Sequence, residues 1–340
     1  MKDSRGTIIY VGKAKNLKRR VQSYFQQSKA HPQKIIKLVS NVRDFDILLT
    51  DTEFEAFMLE CKLIREIKPL FNKMMKSPQS YSYIVVDQGT RYRDVKITNC
   101  RDEQDGRLYF GPFPSKNKVE TAITGIKESY KILCSNPKAK NSLCLNHSLG
   151  LCIGMCGGGP AIQEYNAIIE DIIALLSGEN RVILDQMKKN MAEAAAQFDF
   201  EAAAKYRDRI DAIQSLLRKE KVIEFTESNK NLIVLENLNE NSFKLFLIKR
   251  NEILYSQILT IDSADLHQLS RTISSTFTDS ATHARKHVSR DEIDEAQIVY
   301  NYVKSSHCRY TTVPNKWVQT HMDTKVENAI NKLLVNNPTK

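Results

Sequence analysis

The sequence of 340 residues carries a net charge of +10, with the charged and apolar fractions of a soluble globular protein. No apolar run approaches the roughly 20 residues of a membrane span, so a bilayer is not an expected partner. Its opening residues, Met1-Lys2-Asp3-Ser4-Arg5-Gly6, show no secretory signal, and a cytoplasmic location is expected.

The length allows roughly two to four domains. The seven cysteines are an odd number, and four of them crowd between Cys134 and Cys156. In a cytoplasmic chain that pattern reads as metal or cluster ligation and not as disulfides. Charge is placed unevenly. Ten Lys and Arg residues and no acid lie from Arg5 to Arg43, bracketed by Asp3 and Asp44. A solvated basic face would account for this run, but a polyanionic partner is the expectation.

Thr7-Ile8-Ile9-Tyr10-Val11 is a β-rich run ended by Gly12, which predicts a strand. Residues Asn16 to Phe25 read as a helix capped by Asn16, with Leu17, Val21, Tyr24 and Phe25 on one face. On that wheel Arg20 borders the apolar face beside Tyr24 and Arg19 points away, so Arg20 is the candidate site residue and Arg19 a surface charge. Tyr24 itself reads as a core aromatic, with a hydrogen bond added to the site as the alternative. A second helix is predicted from near Pro32 to Val42, and a strand over Asp44 to Thr50. The next helix opens on Thr52-x-x-Glu55, a capping-box pattern, and stops before Pro69. Glu60 falls within its apolar stripe, between Leu63 and Ile67 on one side and Ile64 and Phe57 on the other. Burying an ionised carboxylate costs several kcal/mol unless something pairs with it. A divalent metal or a cation from the basic stretch would each serve.

At this point the residues carry a resemblance. Tyr10-Val11-Gly12-Lys13-Ala14-Lys15-Asn16-Leu17, followed by Arg20, resembles the second half of the GIY-YIG nuclease motif as it occurs in the UvrC-like excinuclease family. Thr50-Asp51-Thr52-Glu53, Leu59-Glu60 and Lys68-Pro69-Leu70-Phe71-Asn72 match the same pattern at the right intervals, and the similarity runs on through Tyr109 to Pro114 and a later helical pair. The resemblance implies a metal-dependent DNA endonuclease of nucleotide excision repair. Glu60 would hold one Mg²⁺ or Mn²⁺, and Tyr10 would activate or position the attacking water. Lys13 and Arg20 would stabilise the phosphorane charge, Asn72 would orient the site, and Lys15, Lys18 and Arg19 would contact damaged duplex DNA. One departure stands out. In relatives a Gly-Val-Tyr or Gly-Ile-Tyr strand precedes a Met-Lys-Asp segment, whereas this sequence opens on Met1-Lys2-Asp3. A start assigned too late is the expectation, since the opening residues fit a hairpin with Ser4-Arg5-Gly6 in its loop. The alternative is a non-catalytic adaptor that binds UvrB and DNA.

Cys134, Cys144, Cys152 and Cys156 are spaced C-x9-C-x7-C-x3-C. The spacing suits an iron–sulfur cluster or an all-cysteine Zn²⁺ site, and His147 makes a three-cysteine, one-histidine site another option. The resemblance implies a [4Fe-4S] cluster. From Ile183 to Leu217 the chain reads as a helical hairpin, with Ile183, Met187, Met191, Ala194 and Phe198 lining one helix and Ala203, Tyr206, Ile210, Ile213 and Leu217 the next. Residues 192–213 resemble the UVR motif, which implies docking on UvrB with Phe198 and Phe200 as anchors at the tip. Beyond it, strands are predicted at Leu232–Leu238 and Phe243–Ile261, reversing near Arg250-Asn251-Glu252, with helices at Ser263–Phe277 and Asp291–Val303. Asp291, Glu292, Asp294 and Glu295 read as a solvated acidic face. No Asp/Asp/His set for a second nuclease is found, so the layout resembles the single-nuclease relatives called Cho, with a UVR hairpin retained.

The fold class expected is α/β (α+β): a small sheet-and-helix GIY-YIG domain over 1–85 with its first strand missing, a linker with the cysteines over 86–176, the UVR hairpin over 177–220, and a small α/β domain over 221–340.

Overall fold

The computed structural model describes residues 1–26, 32–72, 81–87, 93–102, 104–135, 142–260, 265–280, 287–320 and 322–335. The chain forms two compact units, one of Met1–Pro78 with Phe225–Lys340, the other of Gln79–Glu224. Helices and antiparallel sheets are mixed in it, as an α/β (α+β) class requires.

In the first unit Lys2 is the pivot of the opening segment. It bridges Ile8 on one side and Asp44 on the other, both antiparallel. The Asp3 carboxylate accepts from the N–H groups of Arg5 (2.9 Å) and Thr7 (3.0 Å) and closes the Ser4-Arg5-Gly6 turn, so the expected hairpin forms. The strands expected at Thr7–Val11 and Asp44–Thr50 do not form. A ladder needs successive partners on the facing segment, and Lys2 is the partner of both Ile8 and Asp44. The backbone of the first run pairs irregularly instead, Ile9 N–H with Met1 C=O (3.0 Å) and Phe71 N–H with Ile9 C=O (2.9 Å).

Local signals place the helices. In α1 (Leu17–Phe25) the Asn16 side chain accepts from Arg19 N–H. Helix α2 (Gln33–Asn41) follows Pro32. Helix α3 (Glu53–Ile67) starts on the Thr52/Glu55 capping box and ends at Lys68, left-handed at φ 51°, before Pro69. The later part of this unit is an antiparallel sheet in the order β6-β5-β4-β7, with β4 (Asn231–Asn237), β5 (Ser242–Lys249), β6 (Glu252–Thr260) and β7 (Cys308–Val313). Arg250, at φ 56°, makes the expected reversal between β5 and β6. Ile233, Leu235, Leu245 and Leu247 face a core shared with α9 (Leu266–Asp279), α11 (Asn315–Gln319) and α12 (Asp323–Val335). Leu232, Val234, Phe246 and Ile248 face α10 (Ile293–Val303) and Phe54 of α3. Ser263 lies outside the described residues. The acidic run at the start of α10 is not a wholly solvated face. Glu295 is buried against Arg65 (2.8 Å), because α3 packs there.

The second unit holds a sheet in the order β2-β1-β3, from β1 (Ser82–Val86), β2 (Val95–Thr98) and β3 (Leu108–Phe113). With it come α4 (Lys116–Ser129), α5 (Leu145–Ser148), α6 (Pro160–Leu176), α7 (Val182–Ala196) and α8 (Phe200–Glu227), the last as far as Glu224. Ile84, Phe113, Ile126, Ile169, Met187 and Ile213 anchor one continuous core. The expected helical hairpin is α7 and α8. Ile183, Met187, Ile210, Ile213 and Leu217 are buried as their spacing predicts, Met191, Ala194, Ala203 and Tyr206 are half-buried, and Phe198, expected to line the first helix, is exposed beyond its end.

Candidate active site

A cleft of ≈ 580 Å³ opens in the first unit, between the Tyr10-Val11-Gly12-Lys13 turn, α1 and α3. Tyr10, Lys13, Arg20 and Glu60 all line it. The turn is held from below by Asn72. Its Oδ1 accepts from Val11 N–H (3.0 Å) and its Nδ2 donates to Val11 C=O (2.8 Å), a two-pronged clamp on one residue that fixes the peptide groups on both sides of it. Asn72 therefore acts on the site through the backbone.

Gly12 is explained by the ring beside it. A Cβ at this position would lie 2.7 Å from Tyr10 Cε1 and 2.8 Å from its hydroxyl oxygen. The tyrosine folds back over residue 12, and only a residue without a side chain leaves room. The folded ring puts the Tyr10 hydroxyl 2.9 Å from that of Tyr24, with the rings edge to face at 5.8 Å. Arg20, one turn before Tyr24 on α1, sits 5.1 Å from the Tyr24 ring; burial works against its charge, but the phenols of Tyr24 and Tyr10 beside it raise its pKa. Burial first, and then the Tyr10 hydrogen bond, push the Tyr24 phenol above its ordinary range. Tyr24 answers to both expectations of it. It is buried like a core aromatic, but its hydroxyl belongs to the Tyr10/Arg20 group. Its i+4 spacing from Arg20 was the available signal.

Glu60 comes from the cleft-facing side of α3 with Ala56, Leu59, Leu63 and Ile67. It is half-buried, and its Oε1 accepts from Lys13 N–H at 3.2 Å. The Lys13 ammonium lies 2.7 Å from Glu53 Oε1 and 3.3 Å from the centre of the Phe57 ring. Lys13 holds the Glu53 carboxyl below its usual range by hydrogen bond and charge. Lys15, Lys18 and Arg19 are exposed. One half-buried carboxylate with an oxygen to spare, lining a cleft of this size, fits a hard divalent cation that keeps most of its waters.

In the second unit the thiols of Cys134, Cys144 and Cys156 lie within 4.8 Å of one another, with 3.9 Å between the Sγ atoms of Cys134 and Cys144. Cys152, expected as the fourth ligand, lies outside that group of three among the described residues; its Sγ accepts from Gly154 N–H at 3.4 Å. His147 turns its Nδ1 to Cys152 C=O (3.0 Å), outside the sulfur group. Burial works against ionising Cys144, but donors at Ser135 and His147 outweigh it and hold that thiol down to about 6. Clustered sulfurs with backbone N–H donors are the environment of a thiolate-bound metal centre. At the far end of this unit Phe198 and Phe200 are 80% and 66% exposed, their rings 6.2 Å apart and edge to face. Phe198 takes a left-handed φ of 60°, uncommon for an aromatic residue.

Comparison with known proteins divides the chain into three matched stretches. Residues 1–73 match the UvrC-like GIY-YIG domain, residues 81–175 the middle domain of UvrC/Cho excinuclease, and residues 181–216 the UvrB/uvrC motif. The UvrABC system protein C of Clostridium tetani is 36% identical over 260 residues, 75% of this chain and 42% of that protein. The UvrABC system protein C of Caldanaerobacter subterraneus is 35% identical over 259 residues, 74% of this chain and 42% of that protein. The protein of the same name in Acetivibrio thermocellus is 31% identical over 328 residues, 93% of this chain and 52% of its own length. The chain thus spans about half the length of these relatives. No solved structure matches it.

Proposed function

The chain belongs to the UvrC-like family of GIY-YIG proteins, and from that premise we propose that it is a metal-dependent DNA endonuclease of nucleotide excision repair. It makes one incision, on the 3′ side of a lesion in duplex DNA, after recruitment by UvrB in the cytoplasm. The observation that supports this most is the convergence of Glu60 with Tyr10 and Arg20 on a single cleft.

Mg²⁺ or Mn²⁺ on Glu60 would lower the pKa of a bound water and neutralise charge on the phosphate. The chain's own groups do the rest. Asn72 fixes the backbone on both sides of Val11, and the room left by Gly12 lets the Tyr10 ring fold over the turn. The paired phenols of Tyr10 and Tyr24 orient the attacking water and hold its hydrogen bond in one direction. Arg20 lies beside both phenols, where it stabilises the extra negative charge of the phosphorane. Lys13 adds a second cation at the cleft once a phosphate competes with Glu53 for it. Lys15, Lys18 and Arg19 hold the DNA backbone. Cys134, Cys144, Cys152 and Cys156 would hold a [4Fe-4S] cluster, with Zn²⁺ the alternative occupant, and Phe198 and Phe200 dock on UvrB.

The test is nicking of a lesion-bearing duplex by the full chain with UvrB and Mg²⁺. Glu60→Gln is expected to lower the nicking rate about 10²- to 10³-fold, the scale of losing a principal electrostatic group, with DNA binding unchanged. Nicking that survives this substitution overturns the assignment. A chain that binds UvrB and DNA but never nicks is the adaptor instead.

A further inference from the structure

The helix that carries Glu60 has a second face, and a different part of the chain holds it. Phe54, Met58, Cys61 and Arg65 recur at helical spacing on the side of α3 away from the cleft. In the middle of the contact Phe54 stacks on Tyr302 at 3.8 Å and 4° and meets Phe246 edge-on at 5.3 Å. Tyr302 is fixed in turn, its hydroxyl donating to Glu236 Oε2 at 2.6 Å. At the N-terminal end the ammonium of Lys244, on β5, is buried. It lies 2.5 Å from Asp51 Oδ2 and 3.0 Å from Glu55 Oε1. Glu55 is the residue whose other oxygen closes the capping box on Thr52 N–H (3.2 Å). At the C-terminal end Arg65 pairs with Glu295 (2.8 Å) and donates to Asp291 C=O (3.3 Å), and Asn251 Nδ2 donates to the same Glu295 carboxylate (2.9 Å).

These contacts grip α3 at both ends and at its centre. A buried ammonium is costly unless paired, and both partners of Lys244 belong to the first turn of α3 or the residues just before it. Glu60 lies five residues beyond Glu55, about 7.5 Å along the axis. A small change of angle at the cap therefore shifts its carboxyl within the cleft. We propose that the C-terminal α/β region is the platform that positions the metal-binding helix, with Lys244 as the positioning residue that sets how Glu60 enters the cleft. The role assigned to Glu60 rests on the nuclease reading above; the grip on α3 does not.

The test uses the full chain with Lys244→Met and Lys244→Arg. Three quantities are read: hydrogen exchange of the α3 amides, Mn²⁺ affinity of the protein alone by electron paramagnetic resonance, and single-turnover nicking beside the Kd for DNA. Lys244→Met is expected to speed α3 exchange about tenfold. It weakens Mn²⁺ binding several-fold and slows single-turnover nicking about tenfold to hundredfold, with the DNA Kd unchanged. Lys244→Arg restores most of each loss. Unchanged α3 exchange and Mn²⁺ affinity in Lys244→Met overturn the proposal. Should Lys244→Met fail to fold, Asp51→Asn, which removes one half-exposed partner of the ammonium, decides on the same exchange and Mn²⁺ readouts. A wild-type chain that neither binds Mn²⁺ nor nicks sinks the nuclease reading, while the exchange contrast still reports on the grip.

Discussion

A methyl group at residue 12 would meet the Tyr10 ring at 2.7 Å, and that ring cannot move without giving up its hydrogen bond to Tyr24. Gly12→Ala is therefore expected to displace the Tyr10 hydroxyl and slow nicking about tenfold to hundredfold, the scale of a misplaced catalytic group. DNA affinity should hold, since Lys15, Lys18 and Arg19 are untouched. Steady-state kinetics beside a binding titration separates the two. Tyr24 carries a pH signature. Its phenol is raised by burial and by Tyr10, so the folded state keeps a proton that the unfolded state releases. That stabilisation is complete below about pH 10 and is lost as pH rises from there toward the folded value. Urea midpoints should fall more steeply between about pH 9 and 11 in the wild type than in Tyr24→Phe. The site was legible in the sequence as far as its polar residue types and their order went. The partner of the Lys13 ammonium was not, because Glu53 lies forty residues away and its exposed carboxylate resembles any surface charge.

Helices with local punctuation were the most readable elements. Asn16 before α1 and the Thr52/Glu55 pair before α3 satisfy backbone donors within a few residues, so sequence suffices to place them. Strands at the start of the chain were misread for the opposite reason. Val, Ile and Tyr raise strand propensity, but a strand exists only where a second segment supplies successive partners, and Lys2 bridges the two runs at one point each. Strand β1 (Ser82–Val86) carries the same β-rich signal as the opening run and does form, because partners up to some thirty positions away supply it with a ladder on both sides. The α7–α8 hairpin was readable in its periodicity, and its tip makes a prediction. Phe200→Ala removes a ring that is mostly in water, so thermal stability should change by less than about 0.5 kcal/mol. If Phe200 anchors UvrB, the same change weakens that complex about thirtyfold or more, as loss of an interface hot spot does. Calorimetry of both reactions on one preparation checks this.

Across the whole molecule the excess of cations is what the proposed nuclease would present to nucleic acid. The basic run from Arg5 to Arg43 holds ten of them, and Lys15, Lys18 and Arg19 stand exposed on or just before α1. Affinity for duplex DNA should fall steeply with salt, and charge removal at any one of these three should flatten the log–log slope by about one. A flat response in the wild type would remove the DNA-facing role of this surface. The same unit also has an unusual chain order. Its α3 face is covered by strands that begin at Asn231, and the whole of Gln79–Glu224 is made between them. At roughly 5–20 residues per second on the ribosome, Phe54 waits on the order of ten seconds or more for Tyr302 and Phe246 to emerge. Through that interval a nascent chain bears an oily stripe with nothing against it, a surface that a holding chaperone would be expected to bind until Phe246 and Tyr302 close over Phe54.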